Sequence, residues 1–179
     1  MASILLKAMK DLGKVKHNVG TLNNWTKEVI NQGAVVGGSV SIDNFELVEL
    51  GFDDNGVRIC TPLSATTVKG YLIASVEDYL EEMGETISGF YNEVGDRARI
   101  FVLNPTKRLE VSNFSKADNL KEIKNGQKVH YDATTKKYIV SNGTGDHADY
   151  ATAKNQFIVV DNDCTSLDGQ DLMRWEVIA

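Results

Sequence analysis

The feature that most constrains this chain is a succession of short β-type runs, each closed by turn residues. Between residues 86 and 141, Gly89-Phe90-Tyr91-Asn92-Glu93 leads into Gly95-Asp96, and the strand-like run Arg97 to Leu103 follows. Asn104-Pro105-Thr106-Lys107 then separates it from Arg108 to Val111, a pattern that predicts a hairpin over residues 97–111. Upstream, Ser39 to Ile42 and Phe45 to Leu50 are expected as strands parted by Asp43-Asn44. Asp53-Asp54-Asn55-Gly56 carries the Asn-Gly pair of tight hairpin turns before Val57 to Thr61 runs back. Val68 to Ala74 is a further expected strand. Lys128 to Tyr131 and Lys137 to Val140 flank the turn-rich Asp132 to Lys136, and Gln156 to Val160 and Trp175 to Ile178 supply the last runs. Strands spaced about ten residues apart predict a mainly β chain, a small sandwich or barrel-like domain, in place of alternating βα units.

Helical signals are few and short. Ile4, Leu5, Ala8, Met9 and Leu12 share one face of a short amphipathic helix that Gly13 would stop. So short a helix needs something to pack against. Ser75 suits an N-cap with Glu77 and Asp78 behind it, and that helix would hold Tyr79 and Leu80 inward while Glu81, Glu82 and Glu85 stay solvated. Ser115 to Ile123 reads as a helical turn or a loop. The organisation expected is an N-terminal arm over residues 1–35, carrying the amphipathic helix, and a β-rich body over residues 36–179.

Charge divides the chain along the same line. Residues 1–27 hold five lysines against one aspartate, a net of +4, which leaves −10 of the overall −6 for the rest. A basic arm before an acidic body suits docking on an acidic surface. The lysines lack the interleaved arginines and aromatics of a nucleic-acid face. Apolar residues at 42% and charged residues at 25% are ordinary for globular chains. No apolar run approaches the roughly 20 residues that span a bilayer, and the Met-Ala-Ser-Ile-Leu-Leu-Lys start does not suit a secretory signal, so a cytoplasmic folding site is expected.

The residue types that carry chemistry are scattered. His17, His130 and His147 fall in an arm, a strand and a polar loop without metal-ligand spacing, and are expected at the surface or satisfied locally. Cys60 lies in an apolar β run and Cys164 in a polar loop, too far apart in sequence for a metal or redox motif. Phosphate-loop, dinucleotide and nucleophile-elbow motifs are absent from the sequence. The Asp161 to Asp171 stretch offers oxygen ligands, but Ser166 stands where a calcium loop needs glycine and Leu172 where it needs a bidentate glutamate. No enzyme activity and no cofactor or metal are therefore expected. A carbohydrate-binding module would need exposed aromatics, whereas Tyr71, Tyr91, Tyr131, Tyr138 and Trp175 lie in or beside strand-like runs, where core packing is commoner.

The succession Lys69-Gly70-Tyr71-Leu72-Ile73-Ala74 with Glu77-Asp78-Tyr79-Leu80, then Phe90 to Ile100, then Asn125 to Asp132, resembles the structural and head-associated proteins of tailed bacteriophages. The Gly126-Gln127-Lys128-Val129-His130-Tyr131-Asp132 turn, with Thr134 to Tyr138 after it, is similar to the small β domains of capsid decoration proteins. The resemblance implies a virion component made in the cytoplasm of a bacterial host, binding the major capsid protein or other virion proteins, often as a homo-oligomer. On this basis the arm, through Leu5, Leu6, Met9, Leu12 and Trp25, is expected to reach a neighbouring subunit. A tail-tube or connector component is the alternative within the virion.

Overall fold

The computed structural model describes residues 18–23, 27–76, 90–118, 120–141, 147–165 and 170–179, and these build two β-sheets. The strands are β1 (Gly20–Asn23), β2 (Ala34–Val36), β3 (Leu47–Phe52), β4 (Arg58–Pro62), β5 (Tyr71–Ile73), β6 (Arg97–Ala98), β7 (Ile100–Phe101), β8 (Arg108–Val111), β9 (Phe114–Lys116), β10 (Lys128–Asp132), β11 (Lys137–Val140), β12 (Gln156–Thr165) and β13 (Asp171–Val177). One sheet has the order β1-β8-β13-β12-β10-β11-β9 and the other β6-β2-β4-β3-β5-β7.

The six-stranded sheet curls until its ends nearly meet. Its outermost strands, β6 and β7, flank the single residue Arg99, so residues 97–101 are one stretch that pairs with β2 on one side and with β5 on the other. In β3, β5 and the β6–β7 stretch neighbouring residues face different cores, whereas the alternate residues of β2 and β4 are only partly buried. Val48, Ile73 and Ile100 point into the barrel with Val36, Ile42, Cys60 and Ala98. Leu47, Leu72 and Phe101 point outward, onto the seven-stranded sheet. That sheet contributes every second residue to the shared core, including Leu109, Val129, Tyr131, Tyr138, Phe157 and Trp175, all essentially buried. Tyr138 stacks on Trp175 and meets Tyr131 and Phe157 edge to face. Its hydroxyl donates across the sheets to the Phe45 carbonyl at 3.2 Å. The fully buried Asn155 makes a second tie, donating to the Val68 carbonyl and accepting the Gly70 amide.

The expected sandwich or small barrel is thus present as both, one sheet of the sandwich being the barrel wall. Many expected runs fall close to the observed strands, with Arg108–Val111 and the hairpin of β10 and β11 around Asp132 to Lys136 the clearest cases. The expected hairpin over residues 97–111 does not form. Its two runs lie in different sheets, and the Asn104 to Lys107 turn, with Thr106 at φ 72°, carries the chain from one layer to the other. Ser39 to Ile42 is not a strand, since Ile42 makes only an isolated bridge to Asn92. Phe114–Lys116, placed in or beside the stretch expected as a helical turn or loop, is a strand parallel to β11. Cys164 sits in β12, which extends through the expected polar loop as far as Thr165. No helix occurs among the described residues. The expected arm helix and residues 77–85 of the expected second helix lie outside them. Within the stretch expected as arm, Gly20–Asn23 pairs with β8 along its full length.

Two positions make the architecture testable. Gly33 has φ 56°, and a Cβ there would stand 2.0 Å from the Ala98 carbonyl oxygen, in the seam that closes the barrel. Gly33→Ala is expected to cost at least about 2 kcal/mol in urea unfolding, because neither the backbone nor the seam can yield without losing pairing. Glu46 is buried between the layers with Lys136 at 3.4 Å, yet burial outweighs that lysine and pushes the carboxyl from 4.5 up to about 7. Between those values the native state holds a proton that the unfolded chain releases, so stability contributed here is full at low pH and lost as pH rises through about 7. Glu46→Gln is therefore expected to gain on the parent across that window, by up to about 3 kcal/mol at alkaline pH, in paired denaturation curves.

Candidate functional site

The alternation of β10 directs Val129 and Tyr131 into the shared core and His130 onto the opposite, outer face of the seven-stranded sheet. An outer-face residue is normally solvated, but His130 has no exposure at all. The cause is the connection from β11 to β12, which folds back over this face. Ser141 donates its amide to the Lys128 carbonyl, the His147 amide donates to the Ser141 hydroxyl, and Gln156 donates its side-chain amide to the Tyr150 carbonyl. His147 and Tyr150 are thereby laid against His130, with ring centroids at 4.9 and 6.3 Å.

Neither ring nitrogen of His130 has a hydrogen-bond partner. Burial first, and then the neighbouring His147, hold its imidazole below the ordinary value, so the ring is neutral at neutral pH. His147 is partly exposed, and its Nδ1 accepts the Asp149 amide at 3.2 Å and lies 3.7 Å from the Asp149 carboxylate. The donor atoms of His130, His147 and Asp149 all fall within 4.8 Å of one another, the one such group among the described residues. Two histidines expected at the surface or satisfied locally, without metal-ligand spacing, are thus brought together. Seventeen residues separate them, and the signal available in sequence was only the parity of β10, which puts His130 on the outer face without revealing what covers it.

Apart from this cluster, a concavity of about 300 Å³ lies where the β12–β13 hairpin meets β9, lined by Phe114, Lys116, Ile123, Cys164, Leu172 and Met173 among others. Cys164 is its one thiol, and burial together with Asp161 pushes that thiol up, away from thiolate character. Cys60, inside the barrel, is pushed up to about 11 by burial. In the stretch whose oxygen ligands did not fit a calcium loop, Asp161 is engaged with a neighbouring strand. Asp161 contacts Arg174 at 3.3 Å, and Arg174 also binds Glu110, which accepts the Thr21 hydroxyl at 2.6 Å. This ladder crosses β12, β13, β8 and β1 on the outer face and holds the Glu110 carboxyl below its ordinary value despite some burial. Of the five aromatics that a carbohydrate platform would use, Tyr131, Tyr138 and Trp175 are in the core. Phe52 is the most exposed aromatic among the described residues, with Arg58 over its ring at 5.8 Å. Among the described residues no helix is long and apolar enough to cross a membrane. Leu5, Leu6, Met9, Leu12 and Trp25, the residues expected to reach a neighbouring subunit, lie outside the described residues.

Comparison with known proteins places this architecture in a phage setting. The chain is 46% identical over 181 residues to the SPbeta prophage-derived uncharacterized protein YonC of Bacillus subtilis (strain 168), with 99% of each chain covered. The family model described as YonC prophage protein matches residues 13–178, nearly all of both sheets. A match of that length and identity shows that the chain belongs to the YonC prophage protein family.

Proposed function

We propose that this protein is a non-enzymatic structural component of the virion that binds and stabilises an assembled capsid, as a decoration or auxiliary head protein. Its arm bridges neighbouring subunits through Leu5, Leu6, Met9, Leu12 and Trp25. Membership of a prophage family is the observation that carries this reading. The body adds support, because charged groups are used to tie strands together, as in Arg174 with Glu110 and Arg108 with Glu176. A rigid β body with a basic, amphipathic arm suits multivalent attachment, where individually modest contacts become firm once several copies are linked. The lysines of the arm would steer it toward an acidic shell.

One feature favours a second reading, a tail-tube or connector component. The seven-stranded sheet is open, with β1 and β9 as its terminal strands at opposite ends. Strand addition from one copy's β1 to another's β9 is a head-to-tail contact, and such contacts close into rings or extend into tubes.

Since β1 belongs to the sheet, the arm is best tested by substitution in the full chain. Leu5→Asp together with Leu12→Asp is expected to leave the unfolding midpoint unchanged and to weaken co-sedimentation with assembled heads by about a hundredfold. Undiminished binding would remove the arm from the interface. Light scattering on the parent protein separates the two placements. A monomer or small closed oligomer is expected for the capsid role, whereas spontaneous rings or tubes would move the protein to the tail.

A further inference from the structure

We propose that His130, His147 and Asp149 bind a divalent transition-metal cation of the zinc class, which pins the β11–β12 connection onto the outer face of β10. The geometry offers two imidazoles and one carboxylate with donor atoms within 4.8 Å of one another. That donor set suits zinc, cobalt, nickel or copper, whereas calcium and magnesium take oxygen ligands. Three protein ligands leave a fourth position for water, on the side where His147 and Asp149 reach solvent.

His130 supplies the independent sign of a ligand. It is fully buried, both ring nitrogens are unpartnered, and the groups beside it are a second imidazole and a turn carrying a carboxylate. The other buried polar atoms without hydrogen bonds have different surroundings. Glu28 and Glu46 each face a lysine, and the Trp175 indole is packed in the apolar core. Buried polar groups are ordinarily satisfied by protein, water or an ion, and a buried lone pair beside further ligand atoms is the arrangement a cation completes.

Loading requires a small local adjustment. Donors at metal distance of about 2.0–2.1 Å stand about 3.3 Å apart in a tetrahedron, so the cluster contracts. The His147 Nδ1 gives up the Asp149 amide bond, either because the ion takes that nitrogen or because Nδ1 carries the proton when the ion takes Nε2. His147 and Asp149 reach solvent and can turn, while His130 stays fixed by its strand.

The test uses the full chain, free of any affinity tag and stripped with a chelator, titrated with zinc chloride by calorimetry and then melted. We expect one equivalent bound, an upward shift of the unfolding midpoint on the order of 5 °C at saturation, and no shift with magnesium or calcium. Cobalt in place of zinc should give the visible spectrum of a four-coordinate site with nitrogen ligands. His147→Asn and Asp149→Asn, both at partly exposed positions, should keep the metal-free midpoint of the parent and lose at least about tenfold in zinc affinity. Failure of the parent to bind one equivalent would overturn the proposal. So would binding that survives both substitutions, because the ion would then sit elsewhere.

Discussion

Where the barrel wall packs on the other sheet both of its faces are buried, and the rest of the structure depends on that constraint. In β3, β5 and the β6–β7 stretch, one residue must fit inside the barrel and the next must fit against the other sheet, so Leu47 and Val48, Leu72 and Ile73, and Ile100 and Phe101 are all apolar. Burying each large side chain contributes about 1.5–3 kcal/mol. A register slip of one residue in these strands would exchange two packed surfaces at once. The barrel is thus pinned from inside and outside, and the seven-stranded sheet takes its position from it through Tyr138, Asn155 and the shared core.

On the other layer the asymmetry is reversed. The inner face is a continuous aromatic and aliphatic surface centred on Trp175 and Tyr138, while much of the outer face is a lattice of charge pairs such as Arg108 with Glu176 and Arg174 with Glu110. Partly exposed ion pairs contribute little stability individually. Their regular placement across adjacent strands instead favours one pairing register over its alternatives. The patch over His130 departs from this pattern, because there a connecting segment takes the place of solvent.

Local features of the sequence were legible where a single strand or turn decides the outcome. Asp53-Asp54-Asn55-Gly56 forms the expected turn, with Gly56 at φ 76° and the Asp53 side chain accepting the Asn55 and Val57 amides. The expected runs Val68 to Ala74 and Arg97 to Leu103 contain β5 and the β6–β7 stretch, each strand being shorter than its run. What sequence could not show is which layer a strand joins. Arg97 to Leu103 and Arg108 to Val111 look like hairpin partners because a turn lies between them, and only packing tells that the turn changes sheets. Gly20–Asn23 has one apolar residue, Leu22, so its sequence carries little strand signal and its pairing depends on the backbone edge that β8 offers. The histidine cluster was hidden for the same reason, being made by a fold-back between strands and not by spacing.

Strand order also has a consequence for how the chain is made. All barrel strands lie within residues 34–101, so a nascent chain can complete that layer as a unit while later residues are still being added. The other layer has no such option. Its β13 sits between β8 and β12 and emerges after both, so β1 and β8 must wait, unpaired on one side, for a strand synthesised more than sixty residues later. Assembly on the ribosome therefore proceeds from a finished template to a sheet whose keystone arrives last, and the finished barrel is the surface on which the waiting strands can collect without exposing their apolar faces to one another's copies.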